Sequence, residues 1–485
     1  MNMLMTLIQK ELRAILLSPK FPATFAICSL LIILSVLIGI REYRASVKQF
    51  EIGRQLTDQQ MREQTNWSSV HNKAFRNPDP MQIFVSGVTF DLGRWSFIDN
   101  DNSSRLQNSV YSEDPIFAVF RFMDFSFIVL IVLSLLAIVF TYDAVCGERE
   151  SGTLRLVFSH SISRAHYLVA KCVGAWLGLI VPMLVPILIS LLLLQIFSVP
   201  FTGSDWLRLI LLMLVALLFL TFFVVFGVLM SSLTRRSSIS FLLSLMGWVL
   251  FVFIIPRMGI LAASQIVPVP SVAEIEGQKE TYAKDKWLQY NESMNDRMQS
   301  MAHHNGQSDS LSDKEMWARI QAEDSIRKDI TTNIQNYETK LLEDQRRAQT
   351  VQQRLGFTLC LFSPASAFQL AGMTLSNTDI GLKQRYEETM NRYRADFNAY
   401  IEKKQADQPG TNRFTIQIDS KTGFKISVPR NKEELDLSDL PRFDPPGWSS
   451  AGALARVAID FGLLICLIFA AFAGSWVSFM RYDLR

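Results

Sequence analysis

Six uncharged, mostly apolar runs, each long enough to cross a lipid bilayer as a helix, constrain this chain more than any other feature. The first, Phe21 to Ile40, holds 20 positions between Lys20 and Arg41. About 20 residues is what a helix needs to cross a ~30 Å hydrocarbon core. Twelve of them are Leu, Ile, Val or Phe, so insertion gains roughly 4 to 7 kcal/mol with no charge to offset it. The run is too long for a cleaved leader, and no small-residue cleavage site follows it. Phe125 to Tyr142, Val173 to Val199, Leu209 to Thr234, Ser237 to Pro256 and Phe461 to Met480 pass the same test. A chain that is 49% hydrophobic and only 19% charged excludes a disordered protein. The net charge of +3 is too close to balance for nucleic-acid binding driven by electrostatics. Five cysteines lie far apart, in neither a disulfide framework nor a metal-binding spacing.

The expected fold class is therefore an α-helical integral membrane protein with six transmembrane helices, at 21–40, 124–142, 172–199, 209–234, 237–256 and 461–480, plus a mainly helical α+β extracytoplasmic domain. An even number of spans puts both termini on one side. Arg235, Arg236, the 143–171 stretch with Arg149, Arg155 and Arg164, and the tail with Arg481 and Arg485 share that side. The excess of positive charge in short loops identifies it as the cytoplasm. Arg41, Arg44 and Lys48 then fall outside, in a long loop where the rule is weak. Residues 1–20, with Leu4, Leu7, Ile8, Leu12, Ile15 and Leu16 on one face, are expected to form an amphipathic helix at the inner interface. A plain cytosolic extension of the first span is the alternative.

Two polar regions, 41–123 and 257–460, lie outside on this topology. In the second, Ser312 with Glu315 has the pattern of a capping box. Ile330, Ile334, Tyr337, Leu341, Ala348, Val351 and Leu355 then follow a heptad seam, interrupted at Asp344. Tyr282, Trp287, Tyr290, Met294 and Met298 form a weaker stripe before a polar linker, so an antiparallel helical hairpin is expected. A further helix is expected over 379–401, with Leu382, Tyr386, Met390, Tyr393 and Phe397 on one face. Phe414, Ile416 and Ile418, then Phe424, Ile426 and Val428, alternate with polar residues across DSKTG, the pattern of a β-hairpin. Phe362 to Leu375 is too short and too broken by Pro364 to span. It either hugs the interface or is buried in the outer domain.

The stretch from Tyr142 to Gly174 is the most informative. Gly147 permits a sharp exit from the second span, Glu148, Arg149 and Glu150 place three charges at the membrane surface, and Gly152 and Thr153 restart the chain before Leu154, Leu156, Val157 and Phe158. A short surface-parallel helix results, and on the residues alone a solvated interfacial loop is an equal alternative. An acidic residue, then GERE, SGTL, SxxxSR and a Lys resemble the signature of type-2 ABC exporter permeases. The resemblance extends to RNPDPMQIFVSGV (76–88), DPIFAVFRFMDFSFIV (114–129), FSPASAFQLAGMTLSNTD (362–379) and LPRF (440–443), as in a subgroup with large extracytoplasmic insertions. It implies that 143–171 carries the coupling helix that docks on a partner ABC ATPase, with Asp143, Gly147, Glu148, Arg149, Glu150, Gly152, Thr153, Leu154, Ser159, Arg164 and Lys171 at the family positions. It also implies a second permease subunit, the same chain or a relative, and ATP with Mg held in the ATPase.

Charges at the membrane boundary are Arg121, Asp124, Arg257, Arg456 and Asp460. Intramembrane charge points to function by default, but the outer boundary makes pairing and hydration cheap, so structural anchoring is the expectation. The chain has no GxxxxGK[ST] loop, HExxH arrangement or GxSxG elbow. His160 and His166 flank the coupling stretch without sharing a helical face. Sequons at Asn66, Asn102 and Asn291 fall in the outer regions. The chain is not expected to be an enzyme or to hold a cofactor or metal. The expectation is the permease of an ATP-driven exporter in a bacterial inner membrane. A mechanotransmitting protein, whose outer domain the ATPase moves without substrate crossing, is the rival reading.

Overall fold

The computed structural model describes residues 3–64, 67, 70–98, 106–110, 123–159, 162–304, 313–407, 415–419, 423–427, 435, 437–448 and 450–481. Arg121, His160, Ser312, Asn66 and Asn102 lie outside the described residues. Among those described, five helices are long and apolar enough to cross a membrane: Lys20–Arg62, Arg164–Ile196, Gly203–Leu233, Ser237–Ile266 and Gly452–Met480. Leu184, Leu188, Leu192 and Ile196 form an exposed stripe on the second of them. Their four-residue spacing makes one continuous apolar face, which is favourable against lipid and costly against water.

The run expected to span at 124–142 is instead the shorter apolar helix Phe125–Val139. At ~1.5 Å per residue it falls short of a ~30 Å core. Its middle, Ile128–Leu133, is π-helical, a wider turn that advances less per residue. After it the chain turns at 140–145, where the Ser231 hydroxyl accepts the amides of Val145 and Cys146 at 2.9 and 3.1 Å. Gly227 makes that approach possible, because a Cβ there would collide with the Thr141 hydroxyl.

Three further boundaries differ from expectation. The first span does not give way to a loop at 41, since the helix continues to Arg62. Its second half buries Tyr43, Thr57 and Met61, and Gly53 admits the Phe75 ring, which a Cβ would meet at 2.6 Å. The fifth span does not stop at Pro256. A π-helical segment, Leu250–Ile254, precedes Ile255–Ile266, and its wider turn accommodates the proline ring and missing N–H. The sixth begins at Ser450 rather than 461, so Arg456 and Asp460 sit within a helix instead of ahead of it.

Helix Gly203–Leu233 is buried along most of its length, and its Phe219 stacks on Phe368 at 4.9 Å. Phe368 belongs to Pro364–Leu375, nearly every residue of which is buried. Residues Pro364–Leu375 are therefore packed among the apolar helices, while Phe362 ahead of them is exposed.

The expected 257–460 domain is not one body. The chain divides into two compact units, Met1–Val252 with Ser363–Arg485, and Phe253–Phe362. The division follows burial. Helix Leu382–Asp407 turns Leu382, Tyr386, Met390, Tyr393 and Phe397 toward Met61, Trp67, Val70, Ala74 and Ile98, so the second polar region completes its core with the first. There the hairpin Asn72–Phe75 with Trp95–Ile98 is antiparallel. Asn72 donates to the Tyr393 hydroxyl at 2.5 Å, and that hydroxyl donates to Pro441 O at 2.9 Å. The second hairpin pairs Ile416 with Ile426 and Ile418 with Phe424, the register the alternation predicts, while Phe414 and Val428 fall outside the described residues.

In the other unit, Val272–His304 and Asp313–Cys360 form the expected helical pair, with Tyr282 stacked on Tyr337 at 4.2 Å and Lys279 bridged to Glu338 at 2.7 Å. Beyond Asp344 the long helix changes partner. Gln345 and Gln352 donate to Pro270 O and Val267 O at 2.9 and 2.7 Å, and the seam residue Val351 is left exposed.

Candidate functional site

The 143–171 stretch folds into two short helices, Cys146–Glu150 and Thr153–Phe158, followed by the start of Arg164–Ile196. Gly152 joins the two at φ +71°, ψ 0°, a left-handed conformation that favours glycine, and no atom lies within 4 Å of where its Cβ would stand. Conformation, not crowding, selects glycine there. Thr153 and Ser151 share a hydrogen bond at 2.9 Å across the joint. Ser163 caps the long helix by accepting the His166 amide at 3.2 Å.

Glu148 is the anchor of the stretch. Its Oε1 accepts from Lys10 Nζ at 2.9 Å and Lys171 Nζ at 3.0 Å, and its Oε2 from the Tyr167 hydroxyl at 2.6 Å. Lys171, whose side chain is 5% exposed, also donates to Glu11 Oε2 at 2.9 Å. The cluster therefore ties the N-terminal helix Met3–Leu16, helix Cys146–Glu150 and helix Arg164–Ile196 into one charge-assisted network. Gly174 brings the N-terminal helix close, because a Cβ there would stand 2.5 Å from Glu11 Cβ.

Burial pushes the Glu148 carboxyl up, but the Lys171 charge and the bonds from Tyr167, Lys10 and Lys171 outweigh it and hold it below its ordinary 4.5. A carboxylate depressed in the folded state stabilises the fold above its unfolded pKa, and that contribution disappears as pH falls through the folded value. Thermal unfolding in detergent is expected to show wild type losing stability relative to Glu148→Gln as pH drops below about 4.5. A difference independent of pH from about 7 to 3 would refute this.

The other carried-over residues serve separate contacts. Arg149 Nη1 donates to Ser232 O and Thr234 O at 3.2 and 2.9 Å, closing the end of helix Gly203–Leu233. Glu150 accepts from the Ser237 amide and hydroxyl at 3.2 and 2.5 Å, which lowers its pKa. Gly147 lies against Asp143, with 3.4 Å between its would-be Cβ and Asp143 Cβ. Leu154 is buried, whereas Gly152, Thr153, Arg155, Leu156 and Ser159 are exposed. Phe158, Tyr167 and Phe479 pack as an aromatic trio with centroids 5.3 to 6.0 Å apart, and Arg164 Nη1 donates to Met480 O at 2.7 Å. The short helix thus rests on the end of the C-terminal helix.

Among the described residues, the boundary charges do not converge. Asp124 caps the second apolar helix by accepting the Phe127 amide at 2.8 Å, and it takes the Ser86 amide and hydroxyl at 2.8 Å each. Arg456 stands 3.4 Å from Asp379, Arg257 lies over the Phe253 ring at 6.0 Å, and Asp460 is buried on its helix. Sequence reasoning missed Lys10, Glu11 and Tyr167, which look like ordinary polar or core residues of amphipathic helices. It also missed Arg208, which is 5% exposed, bridges Asp79 at 3.0 Å, pairs with Asp205 and sits over Trp448 at 5.2 Å. An arginine directly before the apolar run Leu209–Thr234 was the available signal. Among the described residues no cluster of metal-ligating side chains occurs.

Comparison with protein families finds that the model described as ABC-2 family transporter protein matches residues 5–484. Comparison with curated proteins finds no match.

Proposed function

Because the chain belongs to the ABC-2 family of transporter proteins, we propose that it is the permease subunit of an ATP-driven exporter, and that the short helix Thr153–Phe158 with its Gly152 joint is where the partner ATPase pushes. The observation that carries this reading is the Glu148 network. One face of the 143–171 stretch is tied through Glu148 to the helices Met3–Leu16 and Arg164–Ile196, while the other, with Gly152, Thr153, Arg155 and Leu156, is left exposed. A force on the exposed face passes through Arg149 to Gly203–Leu233, through Glu150 to Ser237–Ile266, and through Phe158 and Tyr167 to the C-terminal helix. Only an ATPase that docks differently in its open and ATP-closed states can bias the helices in this way. The reading carries with it two permease subunits facing each other, cytoplasmic termini, a bacterial inner membrane, and ATP with Mg bound in the ATPase.

Leu156 is 67% exposed, so Leu156→Asp is expected to leave folding intact and to weaken ATPase co-purification at least about tenfold by burying a charge in the joint. Gly152→Val is expected to abolish ATP-dependent transport, since a β-branched residue at positive φ costs roughly 1–3 kcal/mol and redirects the short helix. Gly152→Asn, which tolerates that conformation, is expected to retain most of it. Full co-purification of Leu156→Asp together with unchanged transport by Gly152→Val would exclude this surface as the docking site.

A further inference from the structure

Away from the 143–171 stretch, the segment after the first apolar helix forms an open cavity of about 300 Å³, at the low end of the roughly 300–1,000 Å³ typical of small-molecule sites. The second half of helix Lys20–Arg62 supplies one wall, and the hairpin Asn72–Phe75 with Trp95–Ile98 and the turn Pro80–Ile83 contribute to the others. The lining includes the aromatic rings of Phe50, Phe75, Phe90 and Trp95, and among the described residues it contains no carboxylate.

Among the described residues, two buried polar side chains on this lining each have an atom without a partner. Gln82 is 6% exposed and Thr89 4%, yet the Gln82 Nε2 and the Thr89 Oγ1 make no hydrogen bond. Arg76 lines the same space. It donates to Thr89 O at 2.8 Å, and among the described residues it has no carboxylate partner. Burial, with the charge of nearby Arg94, holds its pKa below the usual guanidinium range. Arg94 itself donates to Gln49 Oε1 at 2.7 Å. A buried donor left unpaired costs about 1–3 kcal/mol, and a part-buried cation without an anion adds to that cost. Both costs fall at one cavity with apolar walls, and an oxygen-rich anion carrying an apolar body relieves both at once.

We propose that this cavity binds a small organic carboxylate, its anionic head taken by Arg76 and the Gln82 amide and its apolar body by Phe50, Phe75 and Trp95. The assignment is independent of the permease reading, because it concerns binding and not transport. Octanoate, octanamide and inorganic phosphate, titrated calorimetrically against the full chain in lipid nanodiscs, separate the requirements for charge and for apolar body. Octanoate is expected to bind saturably, and each of the other two at least tenfold more weakly. Gln82→Leu is expected to keep the thermal unfolding of wild type, since its amide nitrogen has no partner to lose, and to weaken octanoate roughly tenfold, the worth of one hydrogen bond to a charged group. Ser46→Trp, on the helical wall, is expected to fill the cavity and abolish binding. Octanamide binding as tightly as octanoate, octanoate binding undisturbed by both variants, or no saturable octanoate binding would each overturn the proposal.

Discussion

Lys171→Met is expected to destabilise the membrane unit by about 3–5 kcal/mol, the cost of removing one partner from a buried ion pair. Its ammonium is the one cation in the described network that stands within about 3 Å of both Glu11 and Glu148, at 2.9 and 3.0 Å. Methionine fills similar volume but leaves two carboxylates facing each other in a poorly hydrated site. Lys10 still reaches Glu148, but its side chain is half exposed and it lies 3.8 Å from Glu11, so it compensates little. The expected readout is a lowered midpoint of thermal unfolding in detergent. Adding Glu148→Gln to Lys171→Met should restore part of the loss, because it removes one of the uncompensated charges. A midpoint within error of wild type, or strict additivity of the two substitutions, would show that the network is decorative.

Arg208→Met is expected to have an effect of similar size at the opposite end of the same unit. Arg208 balances Asp79, which caps the turn Pro80–Ile83, and Asp205, which forms a capping box with Thr202 at the start of Gly203–Leu233. Without the guanidinium the two acids lose their common partner, and the 79–98 segment loses its tie to the apolar helix. The loss should again be about 3–5 kcal/mol, with Asp79→Asn in the same chain recovering part of it. Arg456 provides the contrast. It is 58% exposed beside Asp379, and Arg456→Ala should change stability by less than about 1 kcal/mol, as exposed pairs do. Equal effects of the two arginine substitutions would contradict the role assigned to burial.

How much of this was legible beforehand varied with the range of the interaction. The helix carrying Leu382, Tyr386, Met390, Tyr393 and Phe397, and the pairing of Ile416 with Ile426, follow from local periodicity, and the structure has both. The length of Lys20–Arg62 was not legible, because helix formers beyond Ile40 are compatible with loop or helix until Phe75 packs on Gly53. The Glu148 stretch was recognisable as important, but its partners were not. Lys10 is 138 residues away from Glu148, and Glu11 is 160 away from Lys171.

Transfer of apolar side chains out of water is close to additive along a chain, so hydropathy alone dictated a multi-helix membrane protein and roughly where its helices lie. Which charges meet depends on through-space distances of a few ångströms between remote segments, and the Coulomb and desolvation terms there are set by burial. Packing alone therefore selected Lys171 over the other cations for Glu11 and Glu148, joined Arg208 to Asp79, and turned one face of Thr153–Phe158 outward.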